Sequence, residues 1–135
     1  RASAAMAYPP TDAPEAVSMP VVVIEANDEL RRLLARVVVE AGLRVAAPED
    51  GPASRHCLES PASAIIYDPD TLFSGHDLLP EVRDRSLRGL PTIVVTAYPE
   101  ARRSRCVDAV ACIETPFDIR QLAAVVTDAV KKAAG

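Results

Sequence analysis

The sequence predicts an α/β fold built on one five-stranded parallel sheet, and three observations carry that reading. Short continuous apolar runs recur at Val21–Ile24, Ala64–Tyr67 and Thr92–Val95, as strands buried on both faces require. Segments with helical periodicity alternate with these runs. The chain has 135 residues, which fits one domain with a single core.

Residues 1–19 are rich in Ala, Pro and Ser and lack periodicity, so they read as a flexible tail or linker ahead of a domain spanning 20–135. The first strand is Val21–Ile24. A helix follows over about Asp28–Ala41, with Leu30, Leu33, Leu34, Val37, Val38 and Ala41 on one face. Asn27 suits its N-cap, Asp28 and Glu29 suit its positive end, and Gly42 suits a left-handed terminator. A short second strand is expected at Arg44–Ala47 and a weak helix at Pro52–Glu59. The third strand, Ala64–Tyr67, ends on Asp68. The next helix runs over about Leu78–Leu87, capped by Asp77, with Pro80 in the first turn where its missing N–H costs nothing. After the fourth strand, Thr92–Val95, Pro99 is expected to open a helix carrying Arg102, Arg103 and Arg105. Val110–Ile113 reads as the fifth strand. The last helix begins with a capping box, Asp118 to Gln121. It presents Ile119, Leu122, Ala123, Val126 and Val130 as its apolar face, with Lys131 and Lys132 at its negative end.

Five βα units in alternation, connected by right-handed crossovers, point to a flavodoxin-like doubly wound (βα)5 architecture with strand order 2-1-3-4-5. In such a sheet the functional crevice lies at the carboxyl ends of strands 1 and 3. Those ends carry Glu25 and Asp68.

Composition narrows the classes of function. Hydrophobic residues make up 49% and charged residues 25%, close to the average for a soluble domain. A net charge of −4 argues against nucleic acid as partner. No apolar run approaches the ~20 residues needed to span a bilayer, and no segment has the layout of a signal peptide. Cys57, Cys106 and Cys112 are odd in number and widely spaced. They read as small buried hydrophobes in a reducing, cytoplasmic setting rather than as a disulfide or zinc framework with His56 or His76. The loop Glu25-Ala26-Asn27-Asp28 has no glycine, which disfavours a nucleotide site, and no nucleophile–base pair stands out, which disfavours an enzyme.

Four pieces, in this order and spacing, carry a resemblance: Val-Val-Val-Ile-Glu at the first strand, Ile-Ile-Tyr-Asp at the third, Val-Val-Thr-Ala-Tyr at the fourth and Thr-Pro-Phe-Asp after the fifth. Over about residues 20–133 the chain resembles the response-regulator receiver domains of two-component signalling. The resemblance implies a phosphoacceptor at Asp68 and a phosphate-contact hydroxyl at Thr96 with Ala97 beside it. It places Thr115 where the family has a lysine and Cys112 where it has a switching aromatic. Glu25 and Ala26 stand where two acids hold Mg²⁺, so a metal set of Glu25, Asp68 and Asp70 would be weak or absent. As local structure alone, Asp68 would cap a loop, Thr96 would bond backbone, and Glu25 and Asp70 would be solvated acids.

The missing acid, lysine and aromatic imply an atypical receiver. Phosphoryl transfer depends on electrostatic stabilisation, and one lost donor typically costs ~3–4 kcal/mol. The expectation is therefore a non-enzymatic signalling module that binds a protein, or a second copy as a homodimer, without phosphate. The alternatives are a working phosphoacceptor fed by a histidine kinase, and a small enzyme or nucleotide binder on the same fold. Arg102, Arg103, Arg105, Ile113 and Phe117 are the candidate contact residues. They lie on the helix 4–strand 5–helix 5 face that receivers offer to a kinase, an output domain or themselves.

Overall fold

The structure is a computed structural model that describes residues 19–134. The expected tail, residues 1–19, lies outside the described residues except for Met19. The elements follow in strict alternation. They are β1 (Val21–Ile24), α1 (Asp28–Glu40), β2 (Val45–Ala46), α2 (Gly51–Glu59), β3 (Ala64–Tyr67), α3 (Leu79–Leu87), β4 (Thr92–Thr96), α4 (Arg102–Arg105), β5 (Ala111–Glu114) and α5 (Ile119–Ala134). The five strands form one sheet in order β2-β1-β3-β4-β5, and every pairing is parallel.

Alternation along the central strands divides the core in two. Val21, Val23, Ala64, Ile66, Ile93 and Val95 face one way and pack with Leu34, Val37 and Val38 of α1 and Leu122, Val126 and Val130 of α5. Val22, Ile24, Ile65, Tyr67 and Val94 face the other way and meet Leu58, Phe73, Leu78, Val82 and Val107, which come from α2, α3 and the flanking loops. Burial on both faces explains why these strands read as unbroken apolar runs.

Local signals act as the sequence implies at several ends. Asn27 Oδ1 accepts from the Leu30 amide at 2.9 Å and caps α1. Gly42 turns the chain at φ +85°, and the Leu43 amide donates back to Val38 O at 3.2 Å, closing the helix end. Asp118 Oδ1 accepts from the Arg120 amide at the start of α5.

Other expectations need correction. β2 is two residues, not four, because it is a half-buried edge strand with one neighbour. The α2 helix starts at Gly51, since Asp50 supplies the cap by accepting from Ala53 N at 2.7 Å. Asp77 stands one residue outside the α3 cap position, which is Leu78, although its carboxylate accepts from Leu79 N. Pro99 does not open a helix: Tyr98–Ala101 forms a turn, and α4 is one short turn of four residues. β5 is displaced by one residue, leaving Val110 outside it and exposed. Ile119 is 49% exposed, so the buried stripe of α5 begins at Leu122. Among the described residues no helix is long and apolar enough to cross a membrane.

Candidate functional site

Parallel register brings the carboxyl ends of β1, β3, β4 and β5 to one edge. Ile24 pairs with Tyr67, and Thr96 with Glu114, so Glu25, Asp68, Thr96 and Thr115 follow at the same level. The Thr115 amide donates to Thr96 O at 2.9 Å and the Asp68 amide to Ile24 O at 3.2 Å, extending the ladder to the rim.

Glu25 is not a surface acid; it is 2% exposed. Its Oε2 accepts from the Asn27 amide at 2.9 Å and from the Thr71 hydroxyl at 3.0 Å. The same Thr71 oxygen accepts from the Ala26 amide. Thr71 thereby pins the loop after β3 to the loop after β1. Arg31, buried on α1, donates to the carbonyls of Glu25 and Ala26 and pairs with Asp28 at 2.6 Å. Glu25 Oε1 is buried and has no donor of its own. Its neighbour is the Asp68 carboxyl. Burial, and then the hydrogen bond and negative charge of Glu25, push Asp68 up to about 7 although its bond from the Asp70 amide pulls the other way.

The Asp-Pro-Asp-Thr segment folds as its composition dictates. Asp68 Oδ1 accepts from the Asp70 amide at 2.9 Å and Asp68 O from the Thr71 amide at 3.1 Å, a turn with Pro69 at its favoured second position. Asp68 does cap its loop, and this turn sends Asp70 away from Glu25. The Asp70 carboxylate is exposed, yet its Oδ2 accepts from the buried Thr96 hydroxyl at 3.1 Å. Thr96 Oγ1 in turn accepts from the Tyr98 amide at 2.9 Å, and Ser104 Oγ lies 3.4 Å from it. Thr96 therefore bonds both backbone and Asp70.

A second tie crosses the same gap. Arg103 donates from Nε to Pro69 O at 2.7 Å and grips Asp77 with both terminal nitrogens, at 2.8 and 3.1 Å. The Arg103 bonds hold the Asp77 carboxyl below its usual range. The Tyr67 hydroxyl is buried nearby without a hydrogen-bond partner, and burial pushes its phenol up.

The donor set can be compared with what a divalent cation needs. Mg²⁺ takes near-octahedral oxygen ligands. Among the described residues no three His, Cys, Asp or Glu side chains converge. Glu25 and Asp68 are adjacent, Ala26 offers no side-chain oxygen, and Asp70 is turned onto Thr96. The expected trio of Glu25, Asp68 and Asp70 is not assembled, so these residues do not fit a tightly held Mg²⁺.

Other candidate residues separate. Ile113 is 4% exposed and packs in the α1–α5 core, so it presents no free contact surface, while Phe117 is half-buried and packs partly against the same core. Arg103 is engaged internally, while Arg102 and Arg105 are exposed. Ala97 is exposed beside Thr96. Cys112 is exposed rather than buried, because alternation in β5 turns Ile113 inward and Cys112 outward. Partial burial, then Glu114 and Glu100, push the Cys112 thiol up. Thr71 and Ser104 have no signature in the sequence, and Asp77 reads there only as a helix cap; their contacts join residues 8 to 46 positions apart.

No protein-family model and no curated protein matches the chain. Solved structures do. A receiver-domain protein (CheY-like) from Methanospirillum hungatei superposes with TM-score 0.72 at 13% identity, covering 85% of this chain and 95% of that one. The fold is that of a response-regulator receiver domain. The Francisella response regulator 1452 receiver domain matches at 0.67 and 18% identity, covering 84% and 98% of the two chains. The receiver domain of the Pseudomonas aeruginosa sensor histidine kinase PA1611 matches at 0.67 and 21%, covering 84% and 98%, and that structure has a magnesium ion coordinated in its active-site cleft. Glu25, Asp68 and Thr96 lie at the carboxyl-end edge of this sheet, where doubly wound folds place their crevice.

Proposed function

We propose that this receiver-fold domain is a signalling module that works through protein contacts without being phosphorylated. The supporting observation is that the polar groups a phosphoryl group would use are already engaged within the protein. Asp70 accepts from the Thr96 hydroxyl, Glu25 accepts from Thr71, and burial beside Glu25 pushes the Asp68 carboxyl up to about 7. Ala26 and Thr115 add no charge where the receiver resemblance places an acid and a lysine. An incoming phosphoryl group would meet carboxylates without a compensating cation, and electrostatic compensation is most of phosphoryl-transfer catalysis. On this reading Mg²⁺ binds weakly or not at all, and the partner is a histidine kinase, an output domain or a second copy. The module is not itself an enzyme.

Intact-mass measurement after incubation with acetyl phosphate and Mg²⁺ tests the reading. The expected result is no phosphoryl adduct. An adduct that disappears in Asp68→Ala would establish the alternative, a working phosphoacceptor. That second reading draws on Asp68 being only part-buried at the end of β3.

A further inference from the structure

We infer that Asp70 and Arg103 form a built-in latch that holds the segment after β4, residues 97–105, in one fixed arrangement against the loop after β3. This deepens the reading above and rests on it, since it explains how a receiver-fold domain could present one constant face.

The segment has little to hold it otherwise. α4 is four residues long, has no side-chain cap and buries only Ser104 within its span. A single helical turn is unstable alone, because nucleation fixes several residues for one hydrogen bond. What positions the segment is a set of side-chain bonds with both ends inside the protein. Thr96 Oγ1 donates to Asp70 and accepts from Tyr98 N, and Ser104 Oγ donates to Tyr98 O at 2.8 Å. These bonds fold the turn back on β4. Arg103 then fastens the helix to the opposite loop, through Pro69 O and the bidentate pair with Asp77. The two ties are arranged as a pair: Asp70 and Pro69 are consecutive on one side, and Thr96 and Arg103 flank the turn on the other. Breaking either leaves the other to close a longer, looser loop, so their effects should be cooperative. The Arg103–Asp77 pair is exposed to solvent by over a third on each side, which keeps each tie modest in strength. The segment it positions carries Tyr98, 64% exposed, and the exposed Arg102 and Arg105. A fixed latch thus gives that surface a single shape.

Amide hydrogen exchange read by mass spectrometry on the whole chain tests the latch. Asp70→Ala and Arg103→Ala should each raise exchange of residues 98–107 by about fivefold to tenfold, and the double variant by more than either single. Peptides from α1 and α5 should exchange as in the wild type. Asp70→Asn keeps an oxygen that can accept from Thr96 and should stay close to wild type. Unchanged exchange at 98–107 in both alanine variants overturns the latch, as does equal opening in Asp70→Asn and Asp70→Ala. If an alanine variant loosens the entire domain, the Asn-against-Ala comparison still decides. The comparison uses unphosphorylated protein, so a phosphoryl adduct in the separate acetyl phosphate experiment would overturn the proposed function and leave the latch result readable.

Discussion

Replacing Asp68 by Asn should stabilise the domain at high pH and do little at low pH. In the folded chain the Asp68 carboxyl is pushed from its ordinary value of 3.8 up to about 7, by burial first and then by Glu25. The folded state therefore binds this proton more tightly than the unfolded state does. Its contribution to stability is complete below pH ~4 and is lost as pH rises through about 7. Each tenfold in proton affinity is worth ~1.4 kcal/mol, which sets a ceiling of about 4 kcal/mol; solvent at the part-exposed carboxyl reduces this to about 1–2 kcal/mol. The Asp68→Asn change removes the charge. The new amide oxygen can keep the bond from the Asp70 amide, and its NH₂ can donate to Glu25 Oε1, which is otherwise buried without a donor. Thermal melts in chelator should show the Asp68→Asn variant and wild type within error near pH ~4, with a gap of roughly 4–8 °C opening by about pH 8. A gap independent of pH, or a variant less stable than wild type at the alkaline end, would refute the raised Asp68 carboxyl.

Thr71→Val keeps the shape of the side chain but removes the hydroxyl that donates to Glu25 and accepts from Ala26. It should cost roughly 1–3 kcal/mol in urea unfolding, because the buried Glu25 carboxylate keeps only its bond from the Asn27 amide and the part-buried Ala26 amide loses its acceptor. Gly51→Ala would drive a Cβ into the His76 side chain, so it should destabilise by about 1–3 kcal/mol, and His76→Ala in the same chain, which removes the ring but leaves its Cβ 2.8 Å away, should recover only part of that loss. Isothermal titration with Mg²⁺ should show no saturable binding up to the millimolar range; tight stoichiometric binding abolished by Asp68→Ala would show that the carboxylates rearrange into a cation site.

The parts of the fold legible in the sequence were those where one physical signal dominates. β1, β3 and β4 are buried on both faces, so their apolar runs mark them to within one residue. The α1 helix carries a cap, an apolar stripe and a terminating glycine that agree with one another. Edge elements carry weaker marks. β2 and β5 each have one neighbour, and β5 buries only Ile113, so neither run announces its ends. The arginines of α4 have no apolar period to read, and the position of that turn is set by Asp70, Asp77 and Pro69, distant in sequence. The same reason hides the depth of the site. Glu25 is buried because Thr71, 46 positions away, closes over it, and nothing near Glu25 in the sequence encodes that.

A pocket that keeps its acids but lacks a cation must balance charge from within, and the two guanidiniums bonded to its loops do not supply that balance. Arg31 is directed at the carbonyls of Glu25 and Ala26 and at the Asp28 carboxylate. Arg103 is taken up by Pro69 O and Asp77. Burial, with the Glu25 carboxylate beside it, therefore makes the charged form of Asp68 costly. The pocket instead sets neutral hydroxyls against its acids, Thr71 on Glu25 and Thr96 on Asp70, and burial pushes the Asp68 carboxyl up to about 7. Adding a phosphoryl group would require ionising Asp68 and displacing Asp70 from Thr96 while bringing in new negative charge. Restoring a cation alone, as in Thr115→Lys, leaves the Asp70–Thr96 bond in place. On this reasoning the single change should not create a phosphoacceptor, whereas Thr115→Lys combined with Ala26→Asp and Asp70→Ala removes each obstacle in turn.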